Sequence, residues 1–81
     1  MKAGGTMLVR ADIPVINVFE EYCKKFKRER EVTQPTPVTW NLNVGEVVRC
    51  AYGEESGFAE IKSIKIRGKH CYATIKKLVL L

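Results

Sequence analysis

The chain has little of what catalysis and metal binding draw on: a single histidine, His70, and three cysteines, Cys23, Cys50 and Cys71, with no C-x-x-C pair. That inventory offers no zinc-ligand spacing. His70 and Cys71 are adjacent, so in a strand they point to opposite faces and make no dyad. No glycine-rich phosphate loop is present, and Glu54-Glu55 suits an exposed acidic turn. The expectation is therefore no catalytic residue, no metal, no cofactor and no enzyme activity. An odd cysteine count is unlike a secreted disulfide framework and suits small buried side chains in a reducing compartment, cytoplasmic or nuclear. Long apolar runs are also missing. The longest, residues 78–81, falls far short of the roughly 20 residues of a membrane span, and residues 1–6 lack the apolar core of a secretory signal. An intracellular protein without membrane contact is expected.

What is present describes an ordinary folded chain. Its 81 residues are 46% hydrophobic and 28% charged, near the averages for globular proteins, and too few for two cores, so 1–81 reads as one domain. The 14 basic residues exceed the 9 acidic ones by +5. This surplus is local: residues 61–81 hold 6 basic side chains and no acid, whereas residues 1–60 hold 8 basic and 9 acidic ones.

Periodicity then divides the chain. Residues 1–12 read as a tail with a short strand. Asp12 suits a helix cap and Pro14 a first turn, and Val15, Phe19, Tyr22 and Phe26 repeat at helical spacing. The helical segment is placed at 13–30, its regular pattern at 13–28, with the cations from Lys24 to Arg28 at the favourable end of the dipole. Against it stand the β-branched Ile13, Val15, Ile16 and Val18, which favour extended chain. Residues 31–37, with Pro35 and Pro37, read as a linker. From 38 to 81 the period is 2, predicting a β-sheet module. Strands are expected at 38–44, 47–52, 58–66 and 71–75, with turns at 53–57 and 67–70 and with Trp40 mostly buried against the sheet. Ala59 and Ile61 differ in parity from Ile64 and Ile66, which predicts a bulge or sharp bend near Lys62-Ser63. The fold class is α+β, mainly β: an N-terminal amphipathic helix, then a curled antiparallel sheet of four to five strands.

One stretch resembles a known family. Trp40, Val44-Gly45-Glu46, a strand ending at Tyr52, the acidic Glu54-Glu55 turn, Phe58, and the spacing Ala59-x-Ile61-x-x-Ile64 are similar to the opening of a Tudor-type SH3-like barrel, over about residues 40–75. The resemblance implies a small barrel or half-barrel, closed by residues 38–42 or 7–10. It also implies a partial aromatic cage for a methylated cation at Tyr52 and Phe58, the other two cage positions falling at or near Ile75 and Leu78. Without closure the same residues describe a meander with the helix across one face.

The charges carry the leading functional expectation. Lys65, Arg67 and Lys69 share one parity, opposite to Ile64 and Ile66. With Lys62, Lys76, Lys77 and a stacking Tyr72 they predict a weakly selective nucleic-acid interface, DNA or RNA, on a basic β-hairpin. A solvated strand face protected by lysine is the plainer reading. Lys24, Lys25, Lys27, Arg28 and Arg30 form a second cluster that helix-end electrostatics explains. The alternative function is a protein-interaction module, an adaptor, inhibitor or assembly subunit. It would dock through a sheet edge or the Val15/Phe19/Tyr22/Phe26 face, with a homo-oligomer through the edge among its forms.

Overall fold

The computed structural model describes residues 9–78. Its elements are β1 (Ile16–Asn17), α1 (Glu20–Glu29), β2 (Glu31–Thr36), a 3-10 turn (Val38–Trp40), β3 (Val47–Tyr52), β4 (Glu55–Arg67) and β5 (His70–Leu78). The strands form one five-stranded sheet in the order β1-β3-β4-β5-β2, with β1 parallel to β3 and every other pairing antiparallel. It is a mainly β, curled mixed sheet forming a half-barrel.

The helix is shorter than expected and follows a strand. Ile13, Ile16 and Val18 are buried, but through extended chain. Ile16 lies against Cys50 and Asn17 against Ala51, and the Val18 N–H donates to the Ala51 carbonyl at 2.8 Å. The β-branched run thus takes the conformation its stiff χ1 favours, and Asp12 caps no helix: its carboxylate accepts from Arg10. Only from Glu20 does helix win, with Glu20 and Glu21 in the first turn and Lys27 and Arg28 in the last, as the dipole favours. Phe26 is its one buried residue, ring edge toward Tyr52 at 5.1 Å between centroids. Val15 and Phe19 therefore lie outside the helix, and the four residues drawn from the spacing do not form one helical face.

Two further expectations are corrected on either side of Pro37. Residues 31–36, read as a linker, are strand β2, burying Val32, Gln34 and Thr36 and exposing Glu31, Thr33 and Pro35. Proline is tolerated because β2 is an edge strand. Conversely, residues 38–44 form no strand. Val38–Trp40 is a 3-10 turn closed by Asn41 in the left-handed region (φ 50°), and Trp40 is half-buried rather than mostly buried. Residues 38–42 do not close the sheet; of the alternative closing segment 7–10, residues 7 and 8 lie outside the described residues, while Val9 makes a parallel bridge to Val47 and the Arg10 N–H donates to the Val47 carbonyl at 2.9 Å.

The meander from β3 to β5 follows the period-2 reading. Each hairpin turns on two residues, Gly53-Glu54 and Gly68-Lys69, and the glycines carry φ of +66° and +61° at the first central position, where a Gly-X turn requires it. The bulge is where the parity change put it, at Lys62 between the Ile61 and Ser63 pairings. The core of the curl holds Phe26, Val48, Cys50, Ile61, Ala73 and Ile75, all essentially without solvent contact.

The two sheet edges meet through a side chain. Gln34 of β2 is buried; its Oε1 accepts from the Phe19 N–H at 3.1 Å and its Nε2 donates to the Asn17 carbonyl at 3.0 Å. One carboxamide thus does for the β1 side what a backbone ladder would do in a closed barrel.

Candidate nucleic-acid interface

The register sorts the predicted residues onto two faces, since side chains alternate along a strand. The inner face carries the rows Val32–Ile75–Ile61, Gln34–Ala73–Ile64 and Thr36–Cys71–Ile66. The outer face carries Glu31–Lys76–Glu60, then Thr33–Thr74–Ser63, then Pro35–Tyr72–Lys65, and finally the His70–Arg67 pair beside the Gly68-Lys69 turn.

This arrangement separates the seven expected contact residues. Lys65, Arg67 and Lys69 are exposed at one hairpin end, and half-buried Tyr72 is the direct cross-strand neighbour of Lys65. Lys76 lies between Glu60 and Glu31, an opposite-charge partner on each side. Lys62, at the bulge, has its Nζ 3.9 Å from a Glu60 oxygen. Lys77 has inner-face parity: its Nζ sits 5.0 Å from the centroid of the Tyr52 ring, a cation–π contact, while its N–H donates to the Arg30 carbonyl at 2.6 Å. Among the described residues the hairpin end of the outer face thus holds three cations whose rows contain no carboxylate, with an aromatic ring beside them, whereas Lys62 and Lys76 lie next to glutamates.

Tyr52 and Phe58, the two residues of the implied cage, are not brought together. Tyr52 has the inner parity of Val48 and Cys50, is buried, and packs on Phe26. Phe58 pairs with Arg49 and Leu78 on the outer face. A sheet separates the rings.

The helix-end cluster is remote from the hairpin tip. Lys27 pairs with Glu55 at 3.1 Å and lies under Gly53, at the opposite end of β4. Thirteen strand residues extend roughly 40 Å, less the bend at the bulge, so Lys27 stands far from Lys65, Arg67 and Lys69, whereas Arg30 adjoins Lys77, its carbonyl accepting from the Lys77 N–H.

Arg10 and Gln34 are the functional side chains of the scaffold that sequence reasoning missed. The Arg10 guanidinium binds Asp12 at 2.6 and 2.7 Å, Glu46 at 3.0 Å and the carbonyls of Trp40 and Asn41 at 2.8 and 3.3 Å, tying the 38–46 loop to the sheet. The hydrogen bond to Asp12 raises the arginine pKa further and holds the Asp12 carboxyl below its ordinary value. Burial works against the Glu46 carboxylate, but the Asn43 N–H, the guanidinium and the Asn43 amide outweigh it and lower its pKa. Nothing local marks Arg10; Gln34 could have been found from the alternation Val32, Gln34, Thr36.

The cysteines take structural places. Burial pushes the Cys50 thiol up to about 11, against the opposing pull of Lys77 and the Gly57 N–H. The Thr36 hydroxyl donates to buried Cys71, and Cys23 donates to the Val18 and Phe19 carbonyls. Among the described residues no three His, Cys, Asp or Glu side chains converge as metal ligands, and no helix is long and apolar enough to cross a membrane.

No protein-family model matches this chain, and no curated protein matches it either.

Proposed function

We propose that this chain is a small non-catalytic nucleic-acid-binding module of the SH3-like barrel type, gripping the phosphate backbone with the tip of the β4–β5 hairpin. The observation that carries the reading is the distribution of charge on the outer face. Lys76 faces glutamates across both neighbouring strands and Lys62 lies near Glu60, whereas the rows of Lys65, Arg67 and Lys69 contain no carboxylate. Cations on a rigid hairpin hold a fixed spacing against a polyanion. The Tudor likeness supports the small-barrel class; it does not extend to methyl-cation recognition, because Tyr52 is buried on the face away from Phe58.

Reversing Lys65, Arg67 and Lys69 to glutamate removes two units of charge at each site and takes the net charge from +5 to −1. The fold survives, since exposed strand positions matter little for stability, and binding to every oligonucleotide is lost. Three phosphate contacts set a log–log salt slope of about −2 to −3, against about −4 to −5 for the six cations of the sequence-level patch. Wild-type protein that binds neither DNA nor RNA at low salt, or a triple variant that binds as well as wild type, rejects the proposal.

The rival reading, a protein-docking module, has one observation in its favour. Among the described residues β4 has a β3-side partner only as far as Ile61, so residues 62–67 offer an open strand edge. Docking there would be read as binding with little salt dependence, or as a homo-oligomer.

A further inference from the structure

We infer that the hairpin end of the outer face takes single-stranded RNA, with one base stacked on Tyr72 and its sugar beside the Thr33–Thr74 hydroxyls. The inference rests on the nucleic-acid reading above and specifies its ligand. Tyr72 stands on β5, the middle strand of three, flanked in register by Lys65 on β4 and Pro35 on β2. It is half-buried, so the sheet holds the ring while part of it meets solvent, and the Pro35 ring extends the apolar row. A duplex cannot use such a platform: its bases are stacked on one another and offer only edges in the grooves. An unpaired base has a free face, and aromatic stacking beside cations is how single strands are held.

The neighbouring row selects the sugar. Thr33 and Thr74 hydroxyl oxygens lie 2.6 Å apart, so one donates to the other and the second keeps its proton for an outside acceptor; Ser63 follows across the ladder. A ribose 2′-hydroxyl both donates and accepts, and a row of hydroxyls adjoining the stacking row can meet it on both counts. In the next row, Glu31–Lys76–Glu60, the lysine already faces a glutamate on each side, which bounds the track. The strand is therefore bound over a short path from the Gly68-Lys69 turn to the threonine row.

The test compares three fluorescently labelled probes on the full chain at low salt: oligouridine, oligodeoxyuridine of the same length, and an RNA duplex. Expected are oligouridine affinity at least tenfold above that for the duplex, and a lead over oligodeoxyuridine that Thr74→Val removes. Tyr72→Leu should weaken oligouridine binding roughly 5- to 100-fold, as loss of one stacked base does, and Tyr72→Phe should keep it, with thermal melts showing both variants folded. Equal binding of duplex and single strand, or an unaffected Tyr72→Leu, overturns the single-strand assignment. Equal binding of the two oligouridines overturns the choice of RNA. In those cases the phosphate reading stands if the Lys65/Arg67/Lys69 reversal still abolishes binding; absence of binding to all three probes removes both.

Discussion

Gln34 shows how much one side chain can decide. A glutamine in a buried strand position is costly unless both ends of its amide are satisfied, and here both are, by the N–H of Phe19 and the carbonyl of Asn17. The amide does not merely tolerate burial; it joins β2 to the β1–α1 junction. Gln34→Leu keeps the volume roughly but takes the partner from the part-buried Phe19 N–H and Asn17 carbonyl; groups that water can still reach cost less than the roughly 1–3 kcal/mol of a fully buried orphan, about 0.5–1.5 kcal/mol each. Chemical denaturation should show a loss in that range per group, while Thr33→Val, on the exposed side of the same strand, should cost about 0.2–1 kcal/mol in all, the worth of its cross-strand bond to Thr74.

Among the elements, α1 and the 38–46 loop hold the sheet in different ways. The helix contributes one fully buried ring, Phe26, set against Tyr52. The loop contributes half-buried Trp40 and is fastened through the Trp40 carbonyl by Arg10. Phe26→Ala should therefore cost about 3–5 kcal/mol, as core aromatic truncations do. Trp40→Ala should cost less, because its indole keeps solvent contact and its backbone anchor survives the substitution. Thermal melts of the two variants order them directly; equal losses would mean that the loop closes the curl as much as the helix does. The sequence predicts a mostly buried Trp40; the 3-10 turn leaves it half-buried.

At the scale of the whole molecule, acid stability is concentrated at one arginine. Among the described residues the carboxyls with resolved shifts are Asp12 and Glu46, both lowered and both on Arg10. A carboxyl whose folded-state pKa lies below its unfolded value stabilises the fold above the unfolded pKa, and that stabilisation is lost as pH falls through the folded one. Stability should hold from neutrality down to about pH 4–5 and fall below it, where unfolded Asp and Glu begin to take up protons first. Melting temperature against pH measures this. Glu46→Gln should flatten the acid limb and lower the neutral plateau; an unchanged limb would mean that Arg10 holds the loop through the Trp40 and Asn41 carbonyls alone.

The meander was legible in the sequence because its causes are local: period-2 alternation, glycines where two-residue turns need positive φ, and a parity change that calls for a bulge or a sharp bend. The basic hairpin end was legible for the same reason, as three cations of one parity around Gly68. Tertiary structure alone decided the rest, since it depends on partners far apart in the chain. Ile16 and Asn17 became strand because Cys50 and Ala51 lie beside them, and 31–36 became strand because β5 offered an edge. Glu31 and Glu60 reach Lys76 only across the sheet, and the two faces of β3 part Tyr52 from Phe58. Composition determined how much positive charge the chain carries; the register of five strands decided where that charge is left without a partner.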